Sequence, residues 1–307
     1  MRHYAYAALL LPSALLAQAI PSYYWPLNES AGTVAQEVNG LSDGLLTGEC
    51  TWLPSGGHHA GALRFYGNTA RVDMGPCDIT TGAGNQLSVA CWFKPEIVSG
   101  TERILVAKSI GPTDDDFVWS LSLVNNTGAR FRVLAGGSVH TVEIPPSSIF
   151  SNTWYHITGI YDGSTMRLYM NGGVSASGPA SGALGYHPQA PATMGNVTNN
   201  GLPFYGQLDD VRIYGSALTD MEVIELVVGD VSTSMTELGP MLRPDGSLWI
   251  PPGQWNELTW IDASGRTVAH ERILNGTTPA NVPTTAGLYL VCLQGAEGRI
   301  ARPVVVP

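Results

Sequence analysis

The sequence has 307 residues, enough for one large domain and a smaller second one. It contains 36 glycines and 21 prolines but only 13% charged residues, which argues against long amphipathic helices and indicates a turn-rich chain. The net charge of −10 argues against a nucleic-acid partner, because nucleic-acid binding needs a basic surface. Only two lysines occur, so a polybasic membrane patch is also excluded. An acidic chain of this kind suits neutral polymers or cations as partners.

The first 19 residues have the pattern of a secretory signal peptide. Arg2 lies in a short basic head, an apolar run extends from Ala5 to Leu16, and small residues stand at Ala17 and Ala19. This run is too short for a membrane span, so we expect cleavage after Ala19 and export of the mature chain. No later segment approaches the length of a transmembrane helix, so no membrane span is expected in the mature protein.

Residues 20–229 show short segments with alternating apolar residues, separated by turn residues. This pattern predicts a two-sheet, all-β domain. The segments include ALRFYG, LSVACWFKP, FVWSLSLV, ARFRVLAGG, WYHITGIYDG and MRLYMNGG. In LSVACWFKP, the residues Leu87, Val89, Cys91 and Phe93 are predicted to share one face of a strand.

Two hairpin turns and one helix are predicted within this domain. Asn171-Gly172 has the residue types of a type I′ turn, and Asp162-Gly163 predicts a second turn of the same kind. Helical periodicity occurs only in SALTDMEVIELVVG, where either Ser216 or Thr219 is the predicted N-terminal cap and Gly229 ends the helix.

The composition changes after residue 229. Residues 230–240 are polar and lack apolar alternation, which predicts a linker, and residues 241–307 form a second, small β-rich unit. The chain has four cysteines, and three lie in the first two-thirds of it. In an exported protein we expect one disulfide within Cys50, Cys77 and Cys91, with the pairing left open, and Cys292 as a reduced thiol.

The first unit resembles the laminin-G-like, concanavalin A-like jelly rolls of secreted bacterial proteins. Five segments carry the resemblance in chain order: YYWPLNESAGTVAQEVNGLSDGLL, ALRFYGNTARVDMG, LSVACWFKP, NTWYHITGIYDGSTMRLYMNGG and YGQLDDVRIYGSALTDMEV. The resemblance implies an all-β, concanavalin A-like jelly-roll sandwich, followed here by a small β-sandwich tail domain.

The tail resembles the C-terminal sorting domain of type IX secretion cargo. WIDASGRTV is similar to the family's hairpin, and GLYLVCLQG followed by RIARPVVV is similar to its last strands. The usual Pro-Asn-Pro opening appears only as Arg243-Pro244-Asp245, and the late lysine is replaced around Arg302-Pro303. The resemblance implies secretion machinery as a partner and delivery to the bacterial cell surface.

The jelly-roll resemblance also implies a structural calcium ion at Asp209, the first acidic residue of LDDVRIY. If the strand alternates regularly, Asp209 shares the buried face of Val211, and a bound cation would explain a buried carboxylate there. Asn39 and Asp43, in the turn NGLSDG, are the other candidate ligands, because calcium needs six to eight oxygens. The alternative is that Asp209 accepts backbone N–H bonds without a metal. Asp210 is expected to be solvated or paired with an arginine such as Arg212.

Candidate ligand-binding residues are the loop aromatics Tyr186, Phe204 and Tyr205 together with His187, since loops at the end of a sandwich carry function. The pair His58-His59 lies in the glycine-rich segment SGGHHAG and is expected in a solvated loop.

The sequence shows no catalytic carboxylate set or triad of a recognised pattern. The acidic residues Asp220, Glu222 and Glu225 fall on the predicted helix, where they fan around the axis. We therefore expect a non-catalytic binding or adhesion module, for glycans or matrix polymers. The alternatives are a polysaccharide-acting hydrolase on the same fold and a purely structural surface protein.

Overall fold

The computed structural model describes residues 19–79, 85–100, 102–146, 149–228, 241–242, 248–249, 255–262, 265–272, 282–295 and 298–306. The predicted signal peptide up to residue 18, the predicted linker 230–240 and the tail segment Arg243-Pro244-Asp245 lie outside these residues.

The described part of the first unit contains sixteen strands, one α-helix and a short 3-10 helix, Asp114–Asp116. The strands and the α-helix are β1 Tyr23–Trp25, β2 Val34–Ala35, β3 Gly44–Thr47, β4 Cys50–Leu53, β5 Ala62–Phe65, β6 Arg71–Asp73, β7 Leu87–Pro95, β8 Glu102–Ser109, β9 Phe117–Val124, β10 Gly128–Ala135, β11 Ser138–Ile144, β12 Tyr155–Tyr161, β13 Thr165–Met170, β14 Gly173–Pro179, β15 Ala192–Met194, β16 Gly206–Tyr214 and α1 Asp220–Val228.

The strands form two antiparallel sheets of eight strands each. The first sheet has the order β14-β13-β12-β7-β16-β5-β4, with β1 also paired to β16, and the second has the order β11-β10-β9-β8-β15-β6-β3-β2. Each sheet joins a run of consecutive strands, β12 to β14 or β8 to β11, to strands from distant parts of the chain, as in the predicted concanavalin A-like jelly-roll sandwich. The all-β prediction is confirmed.

The core lies between the two sheets. Leu87, Val89, Cys91 and Phe93 of β7 all point into it, as the alternation predicts. The intervening Ala90 lies on the outer face of the first sheet, in a second apolar cluster that includes Val223 and Leu226 of α1. Because both faces of β7 are covered, most of its residues are apolar.

The local signals are confirmed at one hairpin and at the helix. Asn171 and Gly172 have φ values of +51° and +87°, as a type I′ turn between β13 and β14 requires. Thr219, not Ser216, caps α1: Thr219 Oγ1 accepts a hydrogen bond from the Glu222 N–H, and the Glu222 carboxylate accepts one from the Thr219 N–H.

The turn at Asp162-Gly163 is of a different kind from the prediction. Only Gly163 has a positive φ, +96°. The Asp162 carboxylate instead accepts hydrogen bonds from the N–H groups of Ser164 and Thr165, so its side chain closes the turn.

The tail contains six further strands: β17 Met241–Leu242, β18 Leu248–Trp249, β19 Trp255–Asp262, β20 Thr267–Arg272, β21 Gly287–Gly295 and β22 Gly298–Val306. The last four form a sheet in the order β20-β19-β21-β22, and β17 pairs with β18. Leu258, Trp260, Val291 and Leu293 lie in its small core. The structure thus confirms a small β unit after the jelly roll.

A candidate carboxylate site and an exposed aromatic surface

A β-bulge in β16 sets the position of the two adjacent aspartates. Asp209 lies opposite Trp92 of β7, whereas Arg212 lies opposite Ala90, so β16 contains one extra residue over this interval. Asp210 has a φ of +50°, in the left-handed region. Such a bulge inserts one residue into a strand and shifts the alternation of the side chains that follow it.

The bulge overturns the prediction that Asp209 shares a face with Val211 and Ile213. Leu208, Val211 and Ile213 all belong to the core between the sheets. Asp209 lies beside Trp92, on the outer face of the first sheet, because directly opposed residues share a face. Regular alternation would have placed Asp209 in the core.

The histidine pair covers this outer face, which corrects the expectation of a solvated loop. The ring of His58 stacks on Trp92 with a centroid distance of 3.4 Å and an interplanar angle of 10°. The His59 N–H donates to Asp209 Oδ2 at 2.8 Å, and the His59 ring nitrogen Nδ1 lies 2.8 Å from Asp210 Oδ2. Both histidines are half-buried, so the loop packs on the sheet.

Asp210 is a buried ion-pair partner. Its Oδ1 lies 3.5 Å from Arg212 Nη2, which confirms the predicted pairing, and it also accepts a hydrogen bond from the Tyr24 hydroxyl. Burial acts to raise the pKa of Asp210, but the hydrogen bond from His59 and the charge of Arg212 bring that pKa below its usual value. The same hydrogen bond raises the pKa of His59. Asp210 is therefore charged and is not solvated.

Asp209 is different, because one of its oxygens has no partner. The side chain is fully buried, and Oδ1 has no hydrogen bond from any residue that the structure describes. Burial, followed by the charge of Asp210, raises the pKa of Asp209 to about 7. Ligand atoms of His59, Asp209 and Asp210 all lie within 4.8 Å of one another, a spacing that can hold a metal ion.

The backbone beside Asp209 is tightly packed at two glycines. A Cβ built on Gly57 would lie 1.8 Å from the Gly61 carbonyl oxygen and 2.8 Å from Asp209 Oδ2. A Cβ on Gly61 would lie 3.0 Å from Asn28 Oδ1, which accepts a hydrogen bond from the Gly61 N–H. Asp209 and Asp210 supply carboxylate oxygens, the ligands that calcium prefers, so the donor chemistry here fits that ion. The packing of Asn28 and Gly61 against this loop was not identified from the sequence.

The other two predicted calcium ligands bond elsewhere. Asp43 Oδ1 accepts a hydrogen bond from the Glu37 N–H at 2.9 Å, and the Asn39 N–H donates to Glu37 Oε2 at 2.9 Å. Asn39 and Asp43 thus organise a turn around the buried Glu37 carboxylate. Asp43 is not part of the cluster formed by His59, Asp209 and Asp210.

Of the predicted ligand-binding aromatics, Tyr205 lies in an exposed aromatic surface. It contacts Tyr66, which is 51% exposed, with a ring centroid distance of 6.1 Å. The Arg64 guanidinium lies over the Tyr66 ring at 5.2 Å, and the Arg103 guanidinium lies over the Tyr205 ring at 5.0 Å. The Tyr205 hydroxyl donates to Asn68 Oδ1. We call Tyr66, Tyr205, Arg64 and Arg103 the tyrosine–arginine surface.

The prediction that Phe204 contacts a ligand is wrong. It is fully buried and packs near Phe65 at a centroid distance of 6.4 Å, so its ring belongs to the core and is out of reach of a ligand. Tyr186 is 55% exposed, in the loop between β14 and β15. The neighbouring His187 accepts a hydrogen bond from the Gln189 N–H through Nδ1 at 3.3 Å.

The prediction of a disulfide within Cys50, Cys77 and Cys91 is also wrong, since none of the four cysteines forms a disulfide. Cys91 is fully buried in the core on β7, Cys77 is buried in the loop after β6, and Cys50 is half-buried on β4. Burial raises the pKa of Cys50 to about 11 and that of Cys77 to about 12. These cysteines therefore act as small apolar residues.

Comparison with protein families matches residues 66–224, just over half of the chain, to the concanavalin A-like lectin/glucanases superfamily, through its laminin-G-like branch. The chain belongs to this superfamily. The match covers β6 to β16, and hence the bulge, together with the first five residues of α1. No curated protein matches the chain.

Solved structures with this concanavalin A-like fold include two sugar- or receptor-binding modules. One is domain 4 of an extracellular arabinanase from Geobacillus stearothermophilus, solved in complex with arabinotriose. It has a TM-score of 0.52 and 19% sequence identity, and the alignment covers 69% of this chain and all of the arabinanase domain. The other is the receptor-binding domain of a botulinum neurotoxin C/D mosaic serotype, with a TM-score of 0.55 and 12% sequence identity. The alignment covers 92% of this chain and 72% of the toxin domain. At these identities the likeness shows the fold.

Proposed function

We propose that this concanavalin A-like protein is a non-catalytic binding module that holds glycans at its tyrosine–arginine surface. The observation that carries the proposal is the half-exposed Tyr66 ring beside Tyr205, each with a guanidinium over one face. Aromatic rings on a protein surface offer apolar faces on which sugar rings stack, and the guanidinium covering one face fixes the ring in place.

The fold adds support at a coarser level. The arabinanase domain was solved with arabinotriose, so a sandwich of this architecture serves as a sugar-binding module in that protein. Fold alone does not define a ligand, and the argument for this chain therefore depends on the exposed rings.

The experiment is affinity electrophoresis of the mature chain in native gels that contain soluble polysaccharides. Tyr66→Ala is expected to lower the affinity about tenfold, the effect of losing a stacked aromatic contact of about 1.4 kcal/mol. Tyr186→Ala is the matched control, because Tyr186 is equally exposed but lies in another loop. Loss of binding in Tyr186→Ala alone would move the site to that loop. Release of reducing ends by the wild-type chain would contradict the non-catalytic role.

We also propose calcium as a structural cofactor beside Asp209. Asp209 would bind the ion through its unpartnered Oδ1, and Asp210 would supply the neighbouring carboxylate, since ligand atoms of the two residues lie within 4.8 Å of each other. When bound, the ion would supply the positive charge that this buried carboxylate lacks, and it would fix the 57–61 loop against the first sheet.

Export and surface delivery are the third part of the proposal, with the secretion machinery as the partner of the tail. The resemblance to sorting domains is supported by the hairpin between β19 and β20, in which Asp262 and Gly265 form the turn, and by the final strand Gly298–Val306. Among the described residues, no helix is long and apolar enough to cross a membrane.

A further inference from the structure

The arginines of the jelly roll fall into two groups. Seven lie within residues 19–228, and five of these form ion pairs with carboxylates: Arg64, Arg130, Arg132, Arg167 and Arg212. Within the part of the chain that the structure describes, Arg71 and Arg103 form no such pair. Both bind the same loop, residues 196–205, which ends in the tyrosine–arginine surface.

Arg103 is held entirely by neutral oxygens. Its Nη1 donates to the Pro203 carbonyl at 3.0 Å, its Nε donates to the Ser99 carbonyl at 2.8 Å, and its guanidinium lies over Tyr205. These contacts fix the side chain in one position but leave its charge without a counter-ion.

Arg71 has the same character. Its Nη1 donates to Asn200 Oδ1 at 2.9 Å, and its Nε has no hydrogen-bond partner among the described residues. In a chain with a net charge of −10, carboxylates are abundant, yet neither of these two guanidinium groups is paired with one. Arg103 adjoins the aromatic ring of Tyr205, and an unneutralised, prepositioned guanidinium beside such a ring is suited to an anionic group on a sugar.

We propose that the glycan bound at the tyrosine–arginine surface is an anionic polysaccharide. Its carboxylate or sulfate groups pair with Arg103 and Arg71, while a sugar ring stacks on Tyr66 or Tyr205. This inference rests on the proposed function and names its ligand class. It also departs from the neutral partner that the overall charge favours, because Arg71 and Arg103 pair with no carboxylate among the described residues.

The experiment compares three polymers in affinity gels with the mature chain: polygalacturonate, a sulfated galactan and a neutral galactan. The anionic polymers are expected to retard the protein and the neutral one much less. Added salt is expected to weaken the anionic binding, since the screening length falls from about 10 Å at 0.1 M to about 3 Å at 1 M. Preference for polygalacturonate or for the sulfated galactan identifies the anion as carboxylate or sulfate.

Variants test the two arginines directly. Arg103→Gln is expected to weaken polyanion binding about tenfold, as removal of a charge-assisted hydrogen bond does. Arg103→Lys keeps the charge and is expected to lose less. Arg167→Gln is the control, because Arg167 is paired with Asp162 and Asp220 at 3.7 Å and 3.6 Å. If Arg103→Gln does not melt as a folded protein, Arg71→Gln replaces it.

The outcomes separate this inference from the proposed function. Equal retardation by the neutral galactan, with no effect of either arginine variant, overturns the anionic ligand and leaves glycan binding intact. Retardation by none of the polymers removes both.

Discussion

Asp209 and Asp210 are adjacent in the sequence but have opposite electrostatic environments. Asp210 is neutralised by His59, Arg212 and the Tyr24 hydroxyl, which together hold its pKa below the usual value despite burial. Asp209 Oδ2 accepts a hydrogen bond from the His59 N–H, whereas Asp209 Oδ1 accepts none from the described residues. Its pKa is raised to about 7, so the folded chain keeps this carboxylate charged only at a cost that a cation would remove.

The residue-scale prediction concerns that cation. Chelation of calcium is expected to lower the melting temperature of the wild-type chain, because an ion bound only to the folded state stabilises it. At a hundredfold excess over its Kd the ion contributes about 2.7 kcal/mol. In a domain of this size the corresponding shift is about 5–10 °C. Asp209→Asn is expected to abolish the difference between melts with and without chelator.

Asp43→Asn is the matched control for this test. It removes a carboxylate that the sequence suggested as a ligand but that the structure places against the Glu37 N–H. The calcium effect should persist in this variant. A wild-type melt that is the same with and without chelator would count against calcium and favour a carboxylate held by backbone N–H groups alone.

At the scale of elements, signals carried by neighbouring residues were confirmed at Asn171-Gly172 and at the helix start but not for the turn type at Asp162-Gly163. The first two depend on local backbone geometry and local hydrogen bonds, although the choice of Thr219 over Ser216 came from the structure. The bulge in β16 and the packing of the His58-His59 loop were missed. Both depend on Trp92 of β7, which is more than thirty residues along the sequence from the loop and more than a hundred from the bulge.

Two glycine turns bring the jelly roll and the tail together, and this contact gives the element-scale prediction. A Cβ built on Gly265, which has a φ of +79°, would lie 2.6 Å from the backbone of Gly172. Gly265→Ala is therefore expected to lower the free energy of unfolding, measured in urea, by more than the strain of a positive φ alone. That strain is about 1–2 kcal/mol.

Gly137→Ala supplies the control for this contact. Gly137 also has a positive φ, +80°, but a Cβ there would meet no atom within 4 Å. It should show the strain without the clash. Equal destabilisation by the two variants would mean that the two turns do not pack together in solution.

At the scale of the whole molecule, the tail packs on the jelly roll. Ile224 and Val228 of α1 lie in one buried cluster with Leu290 and Cys292 of the tail sheet. The helix thus has two apolar faces, one toward the first sheet and one toward the tail. This explains why VIELVV is more apolar than a helix on an open surface would be.

Deletion of residues 241–307 tests the proposed sorting role. The truncated chain is expected to accumulate within the cell envelope, because the proposed partner of the tail can no longer bind it. Surface proteolysis and fractionation of the producing cells measure this, with the full-length chain as reference. Normal surface delivery of the truncated chain would refute the sorting role and leave the tail as a structural unit packed on α1.

The sequence by itself determined the all-β class, the jelly-roll resemblance, the faces of β7 and the presence of the helix, because each of these follows from periodicity or from neighbouring residues. The tertiary structure alone decided that Thr219 caps the helix, that Phe204 is core, and that the four cysteines form no disulfide. It also decided that Asp209 Oδ1, Arg71 and Arg103 have no charged partner among the described residues. The reason is physical: a bulge, a buried ring and a missing counter-ion all depend on groups far apart in the chain, whose approach is fixed only when the sheets pack.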